Sequence, residues 1–90
     1  KLRLADLKGA REDYESALVI YREIGDRLGE ANTLQSLGDL KRWEADLKGA
    51  REDCESALVI YREIGDRLGE TNVLDRLRDL DEPGTSEGTG

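Results

Sequence analysis

One stretch of this 90-residue chain occurs twice, at an offset of 40 residues. The 26 residues from Ala5 to Glu30 return as Ala45 to Glu70, and the two copies differ only where Tyr14 is replaced by Cys54. The similarity continues more weakly from residues 31–40 into 71–80. A fixed period of roughly 20–50 residues is typical of stacked repeat arrays, whose units bury their apolar faces against their neighbours. The repeat therefore predicts a row of similar units that offers a surface to partners.

Apolar residues recur at intervals of three and four along both halves of the repeat unit, which indicates amphipathic helices. In the first half they are Leu7, Ala10, Tyr14, Ala17, Leu18 and Tyr21. In the second half they are Leu28, Ala31, Leu34, Leu37 and Leu40. We expect an all-α domain over residues 1–80, with four antiparallel helices at about 6–24, 27–43, 46–64 and 67–80 and no strand.

The predicted helices are separated by short stop-and-start signals. Gly25 is suited to end a helix and Asp26 to cap the next one, and Gly65 with Asp66 repeats this pair. The middle connection carries Ala45 where glycine is expected, so residues 27–64 form either a hairpin or one long helix that opens into a swapped partner. Gly38 lies inside a predicted helix, and its presence indicates either a close helix–helix approach or a flexible kink.

Two motifs stand at the centre of the repeat. The second predicted helix contains Leu34-x2-Leu37-Gly38, and the third contains Ala50-x3-Cys54-x2-Ala57, with an earlier copy at Ala10-x3-Tyr14-x2-Ala17. With the 40-residue period, these motifs resemble the tetratricopeptide repeat in its long, 40-residue variety. The resemblance covers residues 5–80 and implies a right-handed solenoid fragment of helical hairpins, in which only the middle pair of helices is a complete unit.

The chain departs from the family pattern at four positions: Lys41, Ala45, Cys54 and Arg78. Lys41 stands where the family has an aromatic residue late in its first helix, and Ala45 stands where it has a glycine in the hairpin turn. Arg78 stands where the family has a glycine that lets two helices approach closely. Cys54 takes a second aromatic position and is smaller than Tyr14, which implies either a looser core or a repacked one.

The resemblance also implies a protein-interaction scaffold that binds a peptide in a groove lined by helices 27–43 and 67–80. The groove residues would be Asn32, Gln35, Asp39, Arg42, Asn72, Asp75, Arg76 and Asp79. Three carboxylates favour a mixed polar or basic ligand, and only Arg76 suits a clamp for a terminal carboxylate. The alternative interpretation is that these eight positions are ordinary solvated residues with no role in binding. Trp43 is either an edge packing residue or an exposed aromatic anchor.

Composition argues against several other functions. The net charge is −7, whereas nucleic acids and anionic membranes require clustered Lys and Arg. With no His and a single cysteine, Cys54, the chain lacks the usual catalytic and metal-ligand sets, so we expect neither an enzyme nor a cofactor. One cysteine forms no intramolecular disulfide, which fits the cytoplasm. The segment 81–90 has no apolar residue and is expected to be disordered or a linker.

Two functional hypotheses remain. The first is the peptide-binding scaffold, as a piece of a longer repeat protein. The alternative is a self-assembling structural module, whose end helices complete their repeats head-to-tail or by swapping between chains. The self-association residues would then be Tyr14, Leu18, Leu74 and Leu77.

Overall fold

The computed structural model describes residues 4–81, which form four α-helices and no strand. The helices are α1 (Leu4–Ile24), α2 (Arg27–Trp43), α3 (Leu47–Ile64) and α4 (Arg67–Asp81). The predicted all-α class and the four helices are confirmed, and each helix end lies within about two residues of its predicted place. The tail predicted to be disordered lies outside the described residues after Asp81.

The three connections share one left-handed geometry. Gly25 and Gly65 each have φ of 75°, and Ala45 has φ of 65°. After Ala45, the backbone N–H of Asp46 donates to the carbonyl of Lys41 at 2.8 Å, which satisfies a carbonyl at the end of α2. Residues 27–64 therefore form a hairpin and not one long helix.

An aspartate caps the helix that follows each connection. The Oδ1 atoms of Asp26, Asp46 and Asp66 accept hydrogen bonds at 2.9 Å from the backbone N–H groups of Gly29, Gly49 and Gly69, respectively. These bonds satisfy N–H groups that have no partner within the helix. The stop-and-start signals of the sequence thus act at all three turns.

The helices pack in chain order, α1 on α2, α2 on α3 and α3 on α4, with the most extensive contact between α2 and α3. The described part of the chain is a thin layer, with principal extents of 46 × 34 × 20 Å. The core is formed mainly by α2 and α3, with one residue each from α1 and α4. Its members are Leu18, Ala31, Leu34, Leu37, Cys54, Ala57, Ile60, Tyr61 and Val73. The right-handed solenoid stacking stays a prediction.

Gly38 brings the backbones of α2 and α3 together. A Cβ at this position would lie 2.9 Å from Sγ of Cys54 and 3.3 Å from the carbonyl oxygen of Ala50. Since α2 continues through Gly38 without interruption, the glycine serves a close approach and not a kink. Cys54 is itself buried, so its Sγ packs against the backbone of Gly38 at this close approach.

Candidate functional site

Polar residues of α2 and α4 lie on one surface, which we call the α2–α4 face. Its members are the eight predicted groove residues Asn32, Gln35, Asp39, Arg42, Asn72, Asp75, Arg76 and Asp79. Two ion pairs join the helices across this surface: Nε of Arg76 donates to Asp39 at 2.7 Å, and Nη1 of Arg42 lies 3.8 Å from Oδ2 of Asp79. In both pairs the partners are 37 residues apart in the chain, so the contacts bring together helices that occupy corresponding places in the two copies of the repeat.

The central pair on this face is half-buried. The hydrogen bond to Asp39 raises the pKa of Arg76 above its ordinary value, so the guanidinium stays charged. Nη1 of Arg76 also donates to the backbone carbonyl of Asn72 at 3.1 Å. The pair therefore holds one cation and one anion at a fixed place on the surface.

Tyr61 reaches the same face from α3. Its ring is buried, and its hydroxyl lies 2.6 Å from Oδ1 of Asn32 and 3.1 Å from Oε1 of Gln35, both of which accept. Burial raises the pKa of Tyr61 above its ordinary value. The sequence analysis missed this contact, although tyrosine recurs at residues 21 and 61, each time after the same apolar run, and this recurrence was a signal that could have found it.

Asp75 does not join the contacts between α2 and α4. Its carboxylate lies 3.3 Å from Nη1 of Arg78 on the same helix. The structure thus brings seven of the eight residues into contact with another element or with the Asp39–Arg76 pair, and Asn72 makes its contact through its backbone carbonyl. Asp75 and the exposed amide of Asn72 remain at the α4 side.

Trp43 ends α2 beside this face and is 72% exposed, so it is not an edge packing residue. It borders a depression of about 520 Å³ together with Asp39 and Arg42. It also borders a groove of about 250 Å³ between the first half of α1 and the second half of α2. The groove is lined by Asp6, Leu7, Ala10, Tyr14, Ser36, Asp39, Leu40 and Trp43. An exposed indole beside an apolar groove is suited to bind an apolar side chain of a partner.

The four predicted self-association residues lie in different environments. Tyr14 and Leu74 are exposed, and Leu77 is half-buried against the core. Leu18 lies within the core, because the face of α1 that bears it packs on α2. Leu18 therefore contributes to the fold of one chain rather than to a surface between chains.

Cys54 is buried, and burial raises the pKa of its thiol to about 11. Within residues 4–81, no three His, Cys, Asp or Glu side chains are grouped so that they could hold a metal ion. No described helix combines the length and the apolar character needed to cross a membrane. Comparisons with protein-family profiles, curated proteins and solved structures find no match to the chain.

Proposed function

We propose that this chain is a tetratricopeptide-like interaction module that binds a segment of another protein on its α2–α4 face. The observation that supports the proposal is the Asp39–Arg76 pair, which joins two helices on one surface beside the exposed Trp43. A half-buried ion pair next to an exposed aromatic residue provides both orientation and contact area for a ligand. A cytoplasmic location, which fits the single thiol of Cys54, is part of the proposal.

The chemistry of the face indicates the kind of ligand. Asp39 and Asp79 are each paired with an arginine, so the surface presents charges of both signs and not an acidic patch. The depression beside Trp43 adds an apolar contact bordered by Asp39 and Arg42. We therefore propose a peptide of mixed charge with an apolar or aromatic side chain that contacts Trp43.

A display library of random peptides panned on the immobilised protein tests this function. Enriched peptides should lose most of their affinity for the variants Trp43→Ala and Arg76→Gln, because the first removes the aromatic contact and the second removes the cation with little change of shape. Glu55→Lys is the matched control, since Glu55 is exposed on α3 and belongs to neither α2 nor α4. The proposal is rejected if no peptide is enriched, or if Glu55→Lys weakens binding as much as the two test variants.

A further inference from the structure

Apolar residues at the two ends of the helical row are exposed, whereas the corresponding residues of the two middle helices are buried. Ile60 of α3 is 4% exposed, whereas its counterpart Ile20 in α1 is 54% exposed. At the other end, Leu34 of α2 is 4% exposed, whereas its counterpart Leu74 in α4 is 36% exposed. Ile60 and Leu34 are each covered by a neighbouring helix that Ile20 and Leu74 lack. Within the described range no helix precedes α1 and none follows α4.

Polar groups at the two ends lack the partners that their counterparts have. Arg27 pairs with Glu63 between α2 and α3. The counterparts of these two residues are Arg67 on α4 and Glu23 on α1, and neither has an ion pair within residues 4–81. Between the same two middle helices, the hydroxyl of Tyr61 meets Asn32 and Gln35.

The same holds for the second tyrosine of the repeat. A Cβ at Gly29 would lie 2.5 Å from the ring of Tyr21, as a Cβ at Gly69 would from the ring of Tyr61, so the two rings are held alike by the helix that follows. The Tyr21 hydroxyl nevertheless makes no hydrogen bond with the described part of the chain. Its missing acceptors correspond to Asn72 and Asp75, which lie on α4 at the opposite end of the molecule.

We propose that these two ends bind each other, so that α4 of one copy packs on α1 of a second copy as α2 packs on α3 within the chain. The interior contact provides the reason for choosing a second copy as the occupant. The surface that α3 offers to α2 recurs on α1 with Tyr14 for Cys54 as its only change. The surface that α2 offers to α3 recurs on α4 at Arg67, Asn72, Leu74 and Leu77.

Polar groups at the two ends complement each other across this junction. Arg67 of one copy faces Glu23 of the next, and the Tyr21 hydroxyl of that copy donates to Asn72 and to the Asp75 carboxylate. Ile20 of the second copy and Leu74 of the first enter the contact that buries Ile60 and Leu34 in the interior. The contact joins different surfaces of the two copies, so the assembly grows in one direction or closes into a ring.

Three substitutions weaken the junction relative to the interior contact. On α1, the larger Tyr14 replaces Cys54, whose Sγ packs against Gly38 in the interior. Arg78 replaces Gly38, and it places a long cation where two backbones approach closely. Asp81 replaces Lys41, which pairs with Asp53 at 2.8 Å in the interior, and the Asp81 carboxylate instead pairs with Arg51 of its own chain, so the junction lacks this ion pair. Association is therefore weak and depends on concentration, and Tyr14, Arg78 and Asp81 are the residues that limit it.

Sedimentation velocity of the full chain from micromolar to millimolar concentration tests the proposal, with circular dichroism to verify folding. The wild-type mean mass should rise above the 10.1 kDa of one chain as concentration increases. Ile20→Glu should raise the dissociation constant at least about tenfold, because the burial of one isoleucine side chain is lost. Val19→Glu is the matched control and should associate as wild type, since Val19 is 54% exposed like Ile20 while its interior counterpart Val59 remains 56% exposed.

Two further sets of variants distinguish a second copy from any other occupant. The double variant Arg78→Gly with Tyr14→Cys restores the interior residues where the two backbones approach closely, and it should associate more tightly than wild type. Arg67→Glu and Glu23→Arg should each weaken association about two- to fivefold, and an equimolar mixture of the two should recover it, because opposite charges then meet between unlike copies. The proposal is overturned if wild type and the double variant both stay monomeric, if Ile20→Glu and Val19→Glu act alike, or if the mixture recovers nothing.

Discussion

Ala45 has a left-handed backbone conformation, and among the described residues it alone does so without being glycine. This conformation costs an L-residue about 1–2 kcal/mol, while glycine loses part of that advantage through its greater freedom in the unfolded chain. We therefore expect Ala45→Gly to raise the free energy of unfolding by about 0.5–1 kcal/mol, measured by urea denaturation. Gly65→Ala, at the matched turn, should lower the free energy of unfolding. A stabilising Gly65→Ala or a destabilising Ala45→Gly would contradict this account.

The buried thiol of Cys54 links stability to alkaline pH. Burial, and next the nearby Asp39 carboxylate, raise its pKa to about 11, with Arg76 acting in the opposite direction. In the unfolded chain the thiol ionises first, so its contribution to stability is complete below pH of about 9 and is lost as pH rises toward 11. We expect a loss of about 2–3 kcal/mol over this interval, on the basis of 1.36 kcal/mol per pKa unit.

Urea denaturation as a function of pH measures this loss. The Cys54→Ala variant is less stable at neutral pH because it leaves a smaller side chain in the core, and it should show a flatter decline above pH of about 9. An equally steep decline in that variant would assign the effect to tyrosines or lysines instead of the thiol.

At the scale of the helices, two tyrosine rings pack directly against the backbones of two glycines. A Cβ at Gly69 would lie 2.5 Å from Cδ1 of the buried Tyr61, and a Cβ at Gly29 would lie 2.5 Å from the half-buried Tyr21. Tyr61 is held between two helices and cannot move aside, whereas Tyr21 lies at the open end of the row. We expect Gly69→Ala to cost about 1–3 kcal/mol of unfolding free energy and Gly29→Ala to cost less.

Gly9→Ala is the control for helix propensity, because a Cβ there would meet no atom within 4 Å. It should stabilise the protein by up to about 1 kcal/mol. Thermal or urea denaturation of the three variants gives the ranking, and equal costs at Gly29 and Gly69 would show that the two tyrosines are held equally firmly.

At the scale of the whole molecule, stability is distributed unevenly along the row. Each of α2 and α3 packs against two helices, whereas α1 and α4 each pack against one. An end helix that opens loses one interface, so it exchanges its amide hydrogens without global unfolding. We expect exchange in α1 and α4 to be at least about tenfold faster than in α2 and α3, a difference of 1.4 kcal/mol.

Hydrogen exchange followed by NMR measures this difference, and the Ile20→Glu variant keeps association from protecting the ends. Uniform protection of all four helices would contradict it and would indicate that the row unfolds as a single cooperative unit.

Much of the fold was predictable because the signals that specify it are local. Helix spacing, the glycines at positions 25 and 65 and the three capping aspartates act within a few residues, and they place the helix ends without reference to the rest of the chain. Their order also predicted that α2 and α4 lie side by side. The hairpin at Ala45 was left open, because the preference of alanine for helix opposed the turn and only the packing of α3 on α2 decides between them.

The sequence by itself determined the four helices, the turns at Gly25 and Gly65, and the polar residues that α2 and α4 share. Only the tertiary structure decided which of these residues pair, that Tyr61 binds Asn32 and Gln35, and that Trp43 is exposed. The physical reason is visible in the duplicated stretch itself. Ile20 and Ile60 have the same neighbours in sequence, yet one is exposed and the other is buried, because burial depends on the helix that packs alongside and not on the residues next to it in the chain.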